Sequence, residues 1–176
     1  SGTGGGSATF TSITFDDGAI TYLFTNFGGN VGSKAADPTL GSNQVLKVVK
    51  PAAAETWAGT TVSIFAGDKV PTIPLTLANS RMTVRTWSPD VGIHVRLKVE
   101  DAADPTHSVE TEATTTVASA WETLTFNFAT PASGTAALNP AYTFNRMSIF
   151  FNFGVNGTEK TYYADDFTFL AGSGGT

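Results

Sequence analysis

Two pairs of adjacent acids, Asp16-Asp17 near the start and Asp165-Asp166 near the end, are the first residues in this chain with chemistry to account for. The second pair interrupts TYYADDFTF (161–169), whose aromatic and β-branched alternation reads as a strand. Aspartate is depleted in strands, and a carboxylate turned toward a core is costly unless a partner compensates it. By alternation Asp165 shares a face with Phe167 and Phe169, which predicts that it points inward near the rim of the core. The alternative is that all four acids are solvated turn and edge residues.

A second group lies mid-chain. In GIHVRLKVED (92–101), Ile93, Val95, Leu97 and Val99 form a core face, while His94, Arg96 and Lys98 form the other. Glu110 and Glu112 share a face of the next segment, about 7 Å apart along a strand. That separation falls within the roughly 5–9.5 Å of paired glycosidase carboxyls. Two acids on one strand, however, flank the same side of a bound sugar, and an inverting mechanism needs them on opposite sides. The chain has no cysteine and no G-x-S-x-G motif, which removes thiol nucleophiles, disulfides and the hydrolase elbow together. Two histidines are too few and too isolated for a zinc site. No enzymatic activity is expected.

The elements that must position these residues are strands. Alternation dominates the 176 residues, and helical periodicity is nearly missing. Strands are predicted at 8–17, 20–27, 44–50, 56–64, 81–88, 92–101, 108–117, 121–129, 146–154 and 161–169. Asp-Pro, Ser-Pro-Asp and Asn-Gly turns separate them. The stretch at 52–55 follows Pro51 and is expected to form one turn at most. Leu124, Phe126 and Phe128, and Met147, Ile149, Phe151 and Phe153, are the expected core sets of two later strands, with Arg146, Ser148, Phe150 and Asn152 looking out. Many short strands at this spacing predict an all-β, antiparallel two-sheet sandwich.

Composition narrows the partners. Only 14% of residues are charged and the net charge is −5, with no cluster of Lys and Arg, so nucleic acid is not an expected partner. No apolar run approaches a membrane span, so no membrane insertion is expected. SGTGGGS (1–7) and AGSGGT (171–176) read as flexible Gly/Ser linkers flanking one domain at 8–170. The chain therefore reads as a module from a longer protein, and a monomer is expected.

FDDG (15–18), a Trp-bearing strand after LKVVK, RTWSPDVGIHVRLKVEDAADPTHSVETEATTTVASAWETLTFNF (85–128) and SIFFNFGVNGTEKTYYADDF (148–167) together resemble jelly-roll carbohydrate-binding modules. Such modules are appended to secreted or cell-surface polysaccharide-degrading and glycan-binding proteins of bacteria, marine species among them. The resemblance covers almost the whole chain outside the linkers. It implies a concave binding face and a polysaccharide ligand, with a β-glucan of the laminarin type favoured and a charged algal glycan as competitor. It also implies a covalently linked catalytic or surface domain; a ligand-free spacer is the alternative.

In such modules a structural calcium lies where the first and last strands meet. The resemblance thus implies Asp16 and Asp165 as calcium ligands, with Asp17 and Asp166 as alternates. The strand order it implies puts 56–64, 92–101, 108–117 and 146–154 in the concave sheet. Their outward residues would form one surface: Trp57 and Thr61, His94, Arg96 and Lys98, Glu110 and Glu112, Phe150 and Asn152. Trp57 is the expected stacking platform, with room above the small residues Gly59 and Thr61. Phe27, before Gly28-Gly29-Asn30, is expected to wall one end of the groove. Trp87 and Trp121 are a loop contact or a plug of the core.

Overall fold

The computed structural model describes residues 8–172. The linker expected at 1–7 and most of the one at 171–176 lie outside the described residues. Eleven strands build two antiparallel sheets. They are β1 (Ser12–Ile13), β2 (Leu23–Phe27), β3 (Val31–Ala36), β4 (Gln44–Lys50), β5 (Gly59–Ser63), β6 (Arg81–Ser88), β7 (His94–Asp101), β8 (Asp104–Thr114), β9 (Ala120–Asn127), β10 (Arg146–Phe151) and β11 (Lys160–Phe169). One sheet runs β3-β4-β11-β6-β9, with β1 added on β11; the other runs β2-β5-β10-β7-β8. The all-β two-sheet sandwich expected from alternation is the fold. β5, β7, β8 and β10 do share a sheet.

The core lies between the sheets. Leu46, Val48, Val84, Phe126 and Phe167 from one sheet meet Val62, Val95, Leu97, Val99, Met147, Ile149 and Phe151 from the other, all fully buried. The alternating strands bury one face and wet the other, as period-two side chains must.

Four departures from simple alternation shape the outer face of one sheet and an acidic cavity on the other. First, 8–17 is a strand only at Ser12–Ile13. Phe15 takes a left-handed backbone (φ 61°), rare for a bulky residue, and its ring is buried against Tyr22, Phe24 and Phe167. Second, β3 was not expected, because VGSKAA carries little apolar alternation; it forms as an edge strand paired along β4. Third, β11 bulges between Asp165 and Thr168, where Asp166 is left-handed (φ 47°). Tyr162, Ala164 and Phe167 therefore face the core. Asp165 pairs directly with Arg85 on the opposite face. The expectation that Asp165 shares the face of Phe167 is corrected by that inserted residue. Fourth, β10 ends at Phe151, and Asn152 turns left-handed (φ 51°).

The turn at Asn152 is held by a lysine. Lys50, at the end of β4, is 1% exposed. Its ammonium donates to the carbonyls of Phe151 (3.2 Å), Asn152 (2.9 Å) and Val155 (2.7 Å). A buried cation without a carboxylate is tolerable here because three carbonyl dipoles converge on it, though burial still lowers its pKa. Gly154 N–H then donates to Thr56 O (2.9 Å) and Gly157 N–H to Ala54 O (3.0 Å), clamping the turn at 52–57. A Cβ on Gly157 would come within 1.6 Å of the Pro51 carbonyl oxygen, so only glycine allows this approach.

Replacing Lys50 by Met keeps the side-chain bulk but strands these carbonyls. The expected loss is about 2–3 kcal/mol, seen as a melting temperature lower by roughly 5–10 °C. A thermal melt unchanged by Lys50→Met would show that the carbonyls find other partners.

Candidate functional site

The outer face of the β2-β5-β10-β7-β8 sheet carries a groove of about 360 Å³ lined by Phe27, Trp57, Thr61, Asp68, Lys98, Glu100, Arg146, Ser148 and Phe150. Strand register explains the grouping. Thr25, Thr61, Ser148, Lys98 and Glu110 lie opposite one another across the five strands. They form a polar row that crosses the sheet. Thr61 and Ser148 share a hydrogen bond at 2.7 Å in its middle.

One wall of the groove is aromatic. Phe27 stands at the end of β2, opposite Gly59. A Cβ on Gly59 would lie 2.7 Å from the Phe27 ring and 2.8 Å from the Phe150 ring. The space expected to be empty above Gly59 is thus filled by these two rings, which meet edge to face at 5.5 Å. Trp57 precedes β5 rather than lying in it, in the turn clamped by Gly154 and by the Glu55 N–H bond to Gly28 O (2.8 Å). Its ring lies nearly parallel to Phe27, 11° between planes at 6.4 Å, and Trp57 is 50% exposed. A half-bare indole backed by a second ring is costly to leave in water and is shaped for stacking.

The opposite wall is ionic. Glu100 lies 3.4 Å from Lys98 Nζ and 3.8 Å from Arg146. Arg146 also donates to the carbonyls of Gly67 (3.0 Å) and Asp68 (3.3 Å).

Five of the sequence-predicted residues therefore line one groove: Phe27, Trp57, Thr61, Lys98 and Phe150. The others do not. Arg96 is drawn aside by Glu110 and Glu112, its guanidinium bonded to both, and it covers the Phe153 ring at 3.6 Å. His94 is exposed beside Glu112 at 3.4 Å. Arg96, Glu110 and Glu112 thus form a buttress behind the aromatic wall. Asn152 is not outward either: the left-handed turn sends its side chain to the Tyr162 hydroxyl. The same turn moves Phe153 from the expected core face onto Phe150, at 5.6 Å edge to face. Asp68, Glu100, Arg146 and Ser148 were not expected in the groove, although Arg146 and Ser148 were read as outward. Glu100, Arg146 and Ser148 were readable by parity on β7 and β10; Asp68 sits on a loop, where parity gives no signal.

The acids form a separate cavity, about 460 Å³, lined by Asp16, Asp37, Thr39, Leu40, Ser42, Asn43, Arg85, Asp165 and Asp166. Asp16 accepts from Gln44 N–H (2.9 Å) and so ties the N-terminal segment to β4. Asp165 is 1% exposed and accepts from Asn43 (2.9 Å) and from Asp166 N–H (2.9 Å). Arg85 approaches Asp165 only to 3.9 Å and Asp166 to 3.6 Å. Burial pushes the Asp165 carboxyl up to about 6, the Asn43 bond opposes this, and the charges of Asp166 and Asp16 add to it.

Asp37 behaves differently. Burial would raise its pKa, but bonds from the Thr39 backbone, Asn43, the Thr39 hydroxyl and the Trp121 indole hold it at about 2. Asp17 lies outside the cavity and bonds to Ala19 N–H in its own turn (2.9 Å). Among the described residues no three His, Cys, Asp or Glu side chains are drawn together tightly enough to hold a metal by themselves. The cavity's oxygen-bearing side chains are the carboxylates of Asp16, Asp37, Asp165 and Asp166, the hydroxyls of Thr39 and Ser42 and the amide of Asn43, which is hard-cation rather than zinc chemistry.

Trp87 and Trp121 belong to the other sheet, paired across β6 and β9, with Tyr163 against both rings. They take no part in the groove.

No protein-family model matches the chain, and no curated protein matches it. The jelly-roll β-sandwich is a fold this chain shares with solved carbohydrate-binding modules. A structure solved for the promiscuous specificity of β-sandwich superfamily modules superposes with a TM-score of 0.56 at 14% identity; the match covers 91% of this chain and 61% of that one. The family 11 module of Clostridium thermocellum, in complex with a β-1,3-1,4-mixed-linked tetrasaccharide, gives 0.57 at 11% identity, covering 91% and 94%. The CBM22-2 xylan-binding domain of Paenibacillus barcinonensis Xyn10C gives 0.52 at 19%, covering 90% and 98%. At these identities the shared property is the fold.

The raised Asp165 carboxyl has a pH consequence. Its folded pKa lies above the unfolded 3.8. Its protonated form therefore favours the fold, and this contribution is lost as pH rises from about 4 through about 6. In chelator, urea midpoints should fall across that window by an amount equivalent to about 2–3 kcal/mol. Asp165→Asn should flatten the curve there; a variant that keeps the full slope would place the titration on another acid.

Proposed function

We propose that this chain is a non-catalytic carbohydrate-binding module that holds a covalently linked catalytic or surface domain against a polysaccharide outside a bacterial cell. The observation that carries the reading is Trp57, half-exposed and backed by Phe27 at the rim of a groove with a polar floor. Sugar rings offer an apolar C–H face to such a platform and hydroxyls to Thr61, Ser148, Lys98 and Glu100. One stacked ring and a few exchanged hydrogen bonds give modest affinity.

The favoured ligand is a neutral β-glucan of the laminarin type; the laminarin preference comes from the family resemblance. Neutrality has its own support. Lys98 and Arg146 in the groove are balanced by Asp68 and Glu100, so the lining presents no net charge to an anionic glycan. A ligand-free spacer would have no reason to keep an indole bare above such a groove. Glu110 and Glu112 both serve one guanidinium outside the cavity, so neither flanks a bond within it. The reading is tested by native affinity electrophoresis in gels containing laminarin, mixed-linkage β-glucan, xylan or alginate. Retardation by a neutral β-glucan is expected, and Trp57→Ala should abolish it with the melting temperature kept. Retardation by alginate alone, or retention after Trp57→Ala, would overturn the assignment.

We also propose a structural calcium ion held by Asp16 and Asp165, with Asp166 as an alternate ligand. Its role would be to neutralise a buried carboxylate and join the N-terminal segment, β4 and β11; it would have no part in sugar binding. Chelator should lower the melting temperature by several degrees and added calcium should restore it, while retardation in laminarin gels persists. A melt indifferent to chelator would sink the site.

A further inference from the structure

The polar row under the groove crosses all five strands of its sheet, about 19 Å from first to last at ordinary strand spacing. A row of this kind in an open sheet would exit at both edge strands, here β2 and β8. At the β2 edge it does not. The Thr25 hydroxyl, the end of the row, donates to the Asp68 carboxylate at 2.8 Å. Asp68 belongs to the 64–69 loop that follows β5, and it has a left-handed backbone (φ 58°). Arg146, rising from β10, fixes the same loop by the Gly67 and Asp68 carbonyls. Ser63, the last outward residue of β5, is fully buried with its hydroxyl unpartnered, as expected for a position roofed by that loop. Asp68 thus lines the same groove as Phe27 and Trp57 while bonded to the β2 edge through Thr25. The β8 side is different. No residue of β8 lines the groove, and Glu110 and Glu112 are drawn onto Arg96.

We propose that the groove is a trough closed at β2, and that it takes the terminus of a glycan chain rather than a stretch of its interior. The proposal rests on the reading of this groove as the carbohydrate site. An end residue carries a hydroxyl that an internal residue has converted into a linkage. The Asp68 carboxylate keeps free lone pairs, and the Thr25 hydroxyl, its proton committed to Asp68, keeps its own, so both can accept from that hydroxyl. An internal residue placed there would have to continue through Asp68.

The test counts protein bound per chain. Titration calorimetry is run with laminarihexaose against laminarin of counted chain number, and with cellohexaose against mixed-linkage β-glucan. One protein per chain at both lengths is expected. A number that grows with chain length would overturn the trough and leave the carbohydrate reading standing; silence with every glycan would overturn both. Asp68→Gly suits the left-handed backbone and should still fold. It is expected to open the end, so that the polymer takes more than one protein per chain. An unchanged count in that variant would overturn the proposal. Borohydride-reduced chains that bind as before would put the non-reducing end against Asp68, and loss of binding would put the reducing end there; either result sustains the proposal.

Discussion

The Lys50 ammonium is the interaction from which the grooved face is built. It rises from one sheet through the end of the core and gathers three carbonyls of the segment that leaves β10 on the other. Those carbonyls cannot meet unless the chain reverses at Asn152, which it does in a left-handed conformation. The reversal turns Phe153 toward Phe150 and brings Gly154 and Gly157 against the turn that bears Trp57. A buried cation at one end of a strand thus sets the height of an indole on the outer face. Its cost is the desolvation of an amine, offset by dipoles that would themselves be orphaned without it.

Upon that foundation the groove depends on what glycine leaves out. Gly59 lends its empty side to the rings of Phe27 and Phe150, which in turn support Trp57. Behind them Arg96 lies over Phe153 and is held by two glutamates. The residues that looked most reactive in the sequence thereby become the stiffest part of the wall. Under the proposed reading, a rigid platform would lose little freedom when a sugar docks, which is where a small site would gain its affinity.

The far cavity obeys the opposite logic. Beside the bulge in β11 a buried carboxylate meets only a distant Arg85 from its own sheet, at 3.9 Å, and the loop at 37–43 closes over it through Asn43. Asp37 in that loop is held ionised by four hydrogen bonds, whereas for Asp165 the cost of burial outweighs the bonds from Asn43 and Asp166. Two acids in one cavity thus have pKa values driven apart by burial and bonding, which is the basis on which a cation at Asp165 is proposed.

Alternation in the sequence was enough to determine an all-β sandwich, the bounds of β4 and β6, and the core faces of β7 and β9, because period two is a local property of extended chain. It also determined that Trp57, Thr61, Lys98 and Phe150 would meet once the sheet order was supplied by resemblance. It missed β3, whose residues have no apolar rhythm and become a strand only because β4 offers an unpaired edge. Asn152, Phe153 and Asp165 were assigned to the wrong faces. In each case one left-handed residue shifts the parity, and nothing in a sequence shows that Lys50 will gather carbonyls from a hundred residues away, or that β11 will bulge beside Arg85. The paired acids were legible as a problem; their different charge states were not, since burial and hydrogen bonding are properties of the assembled loop. Sequence set which residues could serve as floor and platform. The tertiary structure alone decided which glutamates brace, which aromatics stand exposed and where the groove ends, because those outcomes depend on contacts between strands distant in the chain.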